Sequence, residues 1–273
     1  MKNLLSYEGK RVLVTGAASG MGEATARLVG ELGAEVIALD VKKPSVPAAR
    51  FLEVDLRDSR AIEAAAAEVG PLRALFNCAG LPGGAFSPVD VMLVNFVGLR
   101  HLTEAVIPRL SRGDAIASIA SAAGVMYQAL QAQVTPLLAI SDFAAARDWV
   151  AAKAREPGFE PYSFSKMCTI LYTLTRGCGL APATGIRINC VSPGPTDTPM
   201  FEYFIAQAGQ EFMDNFPRPL GRNARPEEQA WILAFLNSEA ASYVNAENVF
   251  SDGGFAAGLL TRTIDPAVLA GRR

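Results

Sequence analysis

One histidine in the whole chain, His101, and four cysteines without a CxxC pair (Cys78, Cys168, Cys178, Cys190) cannot build a convincing Cys/His metal centre. No metal site is assigned, and the thiols read as reduced and mostly buried. Charge of one sign is also missing: Lys and Arg total 25 against 27 Asp and Glu, a formal net charge of −2. That balance supplies no electrostatic attraction to nucleic acid or to an anionic membrane, so neither is expected as a partner. Nowhere do eighteen uncharged apolar residues run together, and Met1-Lys2-Asn3-Leu4-Leu5 meets Glu8-Gly9-Lys10-Arg11 before a signal-peptide core develops. The expected location is the cytoplasm. Internal repeats and low-complexity tracts are absent, although Ala61 to Ala67 is alanine-rich as a surface helix often is.

What is present is a chain of 273 residues, half of them apolar, enough for one large α/β domain with a substantial core. Apolar, β-branched runs recur at Arg11–Thr15, Val36–Leu39, Phe51–Val54, Leu72–Phe76, Ala115–Ile119, Ile186–Val191 and Asn248–Phe250. Helix-like segments alternate with them. Such alternation predicts βα units and a doubly wound parallel sheet covered on both faces. Polar and glycine residues cluster just after the runs, at the sheet edge where ligands of such folds bind.

The first run ends in Gly16-Ala17-Ala18-Ser19-Gly20-Met21-Gly22, followed by helical spacing from Glu23 to Leu32 and a stop at Gly33. A glycine turn opening a helix brings backbone N–H groups and the positive helix end to a pyrophosphate. The second run closes on Asp40, 24 positions after Gly16, where a carboxylate hydrogen-bonds the adenosine ribose diol. A carboxylate there repels a 2′-phosphate, so the expected cofactor is NAD. Val41 beside it offers no phosphate ligand, while Lys42 and Lys43 just beyond weaken the inference.

Pro161-Tyr162-Ser163-Phe164-Ser165-Lys166 sets a phenol and an ammonium four residues apart, on one face of a predicted helix. A neighbouring cation favours the phenolate, which fits the pair for proton transfer near neutral pH.

Together these motifs resemble those of the short-chain dehydrogenase/reductase family over about residues 8 to 254. The matching elements are Thr15-Gly16-xxx-Gly20-Met21-Gly22, Asp55 after the third run, Asn77-Cys78-Ala79-Gly80, Asn95, Ser121, Tyr162-xxx-Lys166 and Pro193-Gly194. The resemblance implies an NAD(P)-dependent oxidoreductase on a single Rossmann-type sheet, with Asn95, Ser121, Tyr162 and Lys166 as its catalytic tetrad. Tyr162 would act as acid/base, Lys166 would hold the nicotinamide ribose, Ser121 would bind the substrate oxygen and Asn95 would anchor a water leading to Lys166. Cofactor contacts are implied for Gly16, Ser19, Gly20, Met21 and Gly22 in the turn and for Asp40 and Val41 beyond the second run. Asp55 and Leu56 would lie beside the adenine, with Asn77, Ala79 and Gly80 behind the cofactor. Tyr162, Lys166, Pro193, Gly194, Thr196 and Thr198 would meet its nicotinamide end.

Two spacings depart from most of that family. Gly80 to Asn95 is 15 positions, too short for the extra helix many members carry, so that side of the sheet is expected to be less covered. Ser121 to Tyr162 is 41 positions, which leaves an insert at about 127–161. Ser141 is its expected N-cap and Glu156-Pro157-Gly158 its stop, with Phe143 and Trp149 as its own core. Such an insert is similar to that of the 3α-hydroxysteroid dehydrogenase/carbonyl reductase branch, where it blocks the tetramer interface; the implied assembly is a homodimer through another surface.

Pro199-Met200-Phe201-Glu202-Tyr203-Phe204-Ile205, with Phe212-Met213 and Phe216-Pro217, forms an apolar lid at about 197–225. It suits a small hydrophobic alcohol or ketone, of hydroxysteroid or aryl-carbonyl type. Residues after Gly254 are expected to reach back over the pocket or over a neighbouring subunit. Two further readings stand beside the NAD-dependent alcohol dehydrogenase: an NAD(H)-binding regulator or sensor with little catalysis, and epimerisation or dehydration on the same scaffold. The latter wants an extra acid/base, and His101 is too distant in the pattern to nominate.

Overall fold

The computed structural model describes residues 3–269. Its seven strands are β1 Arg11–Thr15, β2 Glu35–Asp40, β3 Arg50–Glu53, β4 Ala74–Asn77, β5 Ala115–Ile119, β6 Arg187–Pro193 and β7 Asn248–Ser251. They form one sheet in the order β3-β2-β1-β4-β5-β6-β7, with every pairing parallel. Strand order reverses between β1 and β4, which opens a crevice at their carboxyl ends. Residues just after both strands therefore converge on one place.

Successive residues of a strand point to opposite faces, and the core divides accordingly. Leu13, Ile37, Leu39, Leu75, Ile116 and Ile188 pack on one side with residues of α2 (Ser59–Glu68) and α4 (Leu99–Val106). Val12, Val14, Val36, Ala38, Phe76 and Val191 pack on the other with α1 (Gly20–Glu31) and α10 (Pro226–Asn237). Each fully buried Val, Leu or Ile adds about 1.5–3 kcal/mol of transfer free energy, so this double layer dominates the fold's stability. Polar residues buried with it close backbone ends: Arg187 donates to the carbonyls of Leu236, Ser238 and Val244 at 2.7–3.1 Å, satisfying the carboxyl end of α10.

The short Gly80-to-Asn95 connection does not leave its face of the sheet bare. Helix α3 (Pro88–Met92) runs straight into a π-helical segment, Leu93–Gly98, and then into α4, whose Leu102 and Val106 reach the core. The continuous stretch Pro88–Arg109 is long and apolar enough to cross a membrane by length and composition, yet 67% of its apolar window is buried inside the fold. It is the fold's internal helix.

The insert contains α5 (Gln131–Leu138) and α6 (Phe143–Lys153). Its cap is Asp142, not Ser141: the Asp142 carboxylate accepts from Ala145 N at 2.7 Å. Aspartate accepts more strongly than serine at this position, because its charge also suits the positive helix end. Nor is the insert a self-contained excursion. Trp149 stacks on Phe164 of α7 (Pro161–Thr184), with ring centroids 6.2 Å apart, and Phe143 meets His101 edge-on at 5.3 Å. Residues 131–153 thus brace the helix that carries Tyr162 and Lys166. Helix α1 also begins earlier than its periodicity predicts, at Gly20, so Gly20 and Gly22 belong to its first turn.

Candidate active site

After β1 the chain turns at Gly16 with φ +65°, a conformation that L side chains rarely adopt. A methyl on Gly16 would lie 2.7 Å from the backbone of Ala79, and one on Gly22 would lie 2.0 Å from the Gly16 carbonyl oxygen. The turn is held from below by Thr15, whose hydroxyl accepts from Cys78 N at 3.0 Å and Ala79 N at 3.1 Å. This is a cradle of bare backbone at a helix start, the form that receives a pyrophosphate. Asp40, at the end of β2, accepts from Ala18 N at 3.0 Å and from Lys42 N at 3.0 Å. Its carboxylate therefore lies beside the turn, and Val41 next to it is exposed. The residues present fit a dinucleotide.

Asp55 and Leu56 follow β3. Asp55 is gripped by Arg57, whose guanidinium holds its carboxyl below the usual range, and Arg57 also reaches Asp90. Leu56 is buried, with its carbonyl against Gly98. Asn77 points within the fold, donating to Thr103 of α4 at 3.0 Å and Ser118 of β5 at 3.2 Å, which ties β4 to both elements.

Glu160 caps α7, accepting from Tyr162 N at 3.1 Å and Ser163 N at 2.6 Å, with Pro161 at the first helical position. One helical turn separates Tyr162 from Lys166, and the Lys166 ammonium sits 5.6 Å from the Tyr162 ring centroid. Lys166 is buried and donates to the Ile119 carbonyl at 3.0 Å; burial lowers its pKa from the ordinary 10.5 to about 8. Desolvation drives that fall, since no carboxylate pairs with Lys166 among the described residues. Ser121 lies just beyond β5 and accepts from Ala123 N at 3.1 Å, which fixes its hydroxyl at the head of the Ala122–Tyr127 turn.

Asn95 occupies the π-helical segment. Its side chain accepts from Leu81 N at 2.7 Å and donates to Leu81 O at 3.0 Å and Ser165 at 3.2 Å. Those bonds tie the chain after β4 to α7 and bring Gly80 close to Lys166: a methyl on Gly80 would sit 3.8 Å from the ammonium and 3.4 Å from Asn95 Oδ1. The resemblance assigns Asn95 a water. The structure gives its side chain this backbone clamp.

Met21, Ser121, Tyr162, Pro193, Gly194, Thr196 and Thr198 share the wall of one cavity of about 240 Å³. Thr196 donates to the Gly194 carbonyl at 3.0 Å, which orders the loop after β6. The opposite wall comes from α8 (Pro199–Ala208) and α9 (Gln210–Asn215): Met200, Phe201, Phe204, Phe212 and Met213. Phe204 meets the Tyr162 ring edge-on, with centroids 5.1 Å apart. Behind this wall, Ile264, Val268 and Leu269 pack with Phe212, Phe216 and Phe255, so the described tail reaches back over its own chain's pocket. His101 stands away from the cavity, 3.1 Å from Glu63.

Sequence reasoning missed three features of this site. Pro161 at a helix start was a signal that the preceding Glu160 is the cap, and the cap also lines the cavity. Gln207, at the far end of α8, carried no motif. The π segment around Asn95 had no local signal at all, although such bulges recur at functional sites.

A glycine turn at the strand-order reversal and an acid at the next strand end define a doubly wound dinucleotide-binding protein. More specifically, the chain belongs to the short-chain dehydrogenase/reductase family. The family profile described as short chain dehydrogenase matches residues 10–133, and one described as enoyl-(acyl carrier protein) reductase matches residues 145–256. The chain is 32% identical over 253 residues to a coniferyl-alcohol dehydrogenase from Pseudomonas sp., covering 92% of this chain and 98% of that one. With the 3-alpha-hydroxysteroid dehydrogenase/carbonyl reductase of Comamonas testosteroni it shares 30% over 257 residues, 89% of this chain and 95% of that one. Among solved structures, the 3-alpha-hydroxysteroid dehydrogenase from Pseudomonas sp. B-0831 complexed with NADH superposes with a TM-score of 0.75 at 27% identity, covering 93% and 98% of the two chains. A putative 2-deoxy-d-gluconate 3-dehydrogenase from Agrobacterium tumefaciens with bound NADP gives 0.70 at 25% identity, covering 94% and 100%. The protein is thus an oxidoreductase of a nicotinamide-binding family.

Proposed function

We propose that the protein interconverts a hydrophobic secondary alcohol and its ketone with NAD, using Tyr162 as the acid/base. The observation that carries this reading is the placing of Ser121 and Tyr162 on one wall of an apolar cavity, with Lys166 one helical turn behind the phenol. The glycine turn, Asp40 and Lys166 would hold the nicotinamide cofactor, which would supply the hydride acceptor. The chain's own residues supply the rest. Tyr162 takes the alcohol proton in oxidation and returns it in reduction; Lys166 favours the phenolate by its charge. Ser121 holds the substrate oxygen as charge develops on it. Met200, Phe201 and Phe204 exclude water and offer apolar contact.

Asp40 supports NAD over NADP, because its carboxylate beside the turn repels a 2′-phosphate. A relative named for coniferyl alcohol and another named for 3-alpha-hydroxysteroids and carbonyl reduction support a hydrophobic alcohol or carbonyl substrate. A cytoplasmic homodimer is proposed with it, in keeping with the insert that covers α7 and with Trp231 and Phe235 exposed one turn apart on α10.

The test is formation of NADH, followed by its near-ultraviolet absorbance, with hydroxysteroids, aryl alcohols and simple secondary alcohols and either NAD or NADP. Tyr162→Phe is run beside the wild type. Turnover with NAD that falls by about a thousandfold or more in the variant supports the reading. Absence of turnover in both directions, with NADH still binding, overturns it in favour of the cofactor-binding regulator.

A further inference from the structure

One polar group of the cavity wall has no part in the chemistry above. Glu160, two residues before Tyr162, and Gln207, on α8, both line the cavity. They meet over Gly83: a methyl placed on Gly83 would lie 3.3 Å from Glu160 Oε1, 3.4 Å from Gln207 Oε1 and 3.5 Å from Tyr162 Cβ. Gly84 beside it has φ +77°, and a methyl there would stand 3.0 Å from the Gln207 side-chain carbonyl carbon. The Glu160 and Gln207 oxygens thus converge beside the bare Gly83-Gly84 backbone, which leaves no room there for a further side chain.

Each Glu160 oxygen accepts one bond from the α7 backbone, from Tyr162 N and Ser163 N. A carboxylate oxygen has two lone pairs, so each retains a further acceptor position. The helix cap fixes where that capacity points. Gln207 brings an amide to the same place.

We propose that the Glu160–Gln207 pair on the cavity wall is a second polar subsite, which selects substrates carrying a hydroxyl donor remote from the carbon being oxidised. The inference rests on the alcohol/ketone reading of the same cavity and refines its substrate class. The reacting oxygen lies at Ser121 and Tyr162; the remote hydroxyl, phenolic or alicyclic, donates to Glu160 and exchanges a hydrogen bond with Gln207. A hydrogen bond to a charged acceptor is stronger than one between neutral groups, so the hydroxyl confers about a tenfold or greater preference. The same carboxylate repels anions, which disfavours carboxylated and phosphorylated substrates.

Calorimetric titration of the NAD-loaded protein, which has no hydride to give a ketone, with 4-hydroxyacetophenone, acetophenone and 4-acetylbenzoate tests this, alongside the ratio of kcat/KM for the reduction of the first two with NADH. Wild type should bind 4-hydroxyacetophenone about tenfold tighter than acetophenone, with 4-acetylbenzoate weakest. Gln207→Leu, on the exposed end of α8, and Gly83→Ala, whose methyl presses on the Glu160 and Gln207 oxygens, should each bring the hydroxyl preference close to one. An unchanged preference in both variants, or none in the wild type, overturns the proposal. Binding and turnover fail separately: a hydroxyl preference in titration without turnover sustains the subsite and defeats the alcohol/ketone reading, whereas turnover without preference does the reverse.

Discussion

The Lys166 ammonium donates to the Ile119 carbonyl at 3.0 Å, across from β5, and no described carboxylate shares its burial. A cation kept out of water with a neutral carbonyl and the Tyr162 ring as its described partners costs stability, and here that cost sits one turn from Tyr162.

Lys166→Met should therefore raise the melting temperature of the cofactor-free protein while eliminating turnover. The folded pKa of about 8 lies below the ordinary 10.5, so between those values the unfolded chain binds more protons and wild-type stability rises with pH. The variant's advantage, about 1–3 kcal/mol, should be full below pH 8 and vanish towards pH 10.5. Differential scanning calorimetry at neutral and alkaline pH reads both. A variant less stable than wild type at neutral pH would refute the argument.

The proposed reading gives Ser121 two roles, which two measurements on one variant separate. Ser121→Ala should lower kcat by about a hundredfold, through loss of the donor to the substrate oxygen. It should also cost about 1 kcal/mol of stability, because Ala123 N loses the cap it now donates to. Steady-state kinetics and urea unfolding measure the two separately; an unaltered kcat removes Ser121 from the chemistry.

Gly22→Ala places a methyl 2.0 Å from the Gly16 carbonyl, a backbone atom that cannot step aside cheaply. Loss of about 3 kcal/mol or more is expected, together with loss of NADH binding. Thermal unfolding and NADH fluorescence report the outcome, and an alanine variant that binds NADH normally would show that the cradle is elsewhere.

On the proposed NAD reading, Asp40→Ala removes the charge that would repel a 2′-phosphate. The ratio of kcat/KM for NADP to that for NAD should rise by about tenfold or more. If the ratio stays put, Asp40 does not select the cofactor.

The sheet was legible because its strands announce themselves twice, by β-branched runs and by the glycine or polar residues that end them. Ala115–Ile119 and Arg11–Thr15 match their strands residue for residue. Helix starts were less legible, since caps depend on geometry: Asp142 and not Ser141 accepts from the helix backbone. The short spacing after Gly80 leaves no helix before Pro88 among the described residues, but that α3, the π segment and α4 join into one helical run had no local signal. The motif residues themselves were easy to find, yet their partners were not. Thr15 under the glycine turn, Leu81 in the grip of Asn95 and the tail behind Phe216 all depend on contacts between distant parts of the chain. No local pattern encodes such pairings.

The order of strands in the sheet has a kinetic consequence. Gly16, Ala79, Ser121, Lys166 and Gly194 come from four separate βα connections, Ser121 and Lys166 sharing the one from β5 to β6, and β1 pairs with β4 across the intervening β2 and β3 units. Parallel pairings of this kind join residues far apart in the chain and form slowly. During refolding from urea, helix content should recover before NADH fluorescence does, and a cofactor added at the start should act as a clock for the last step.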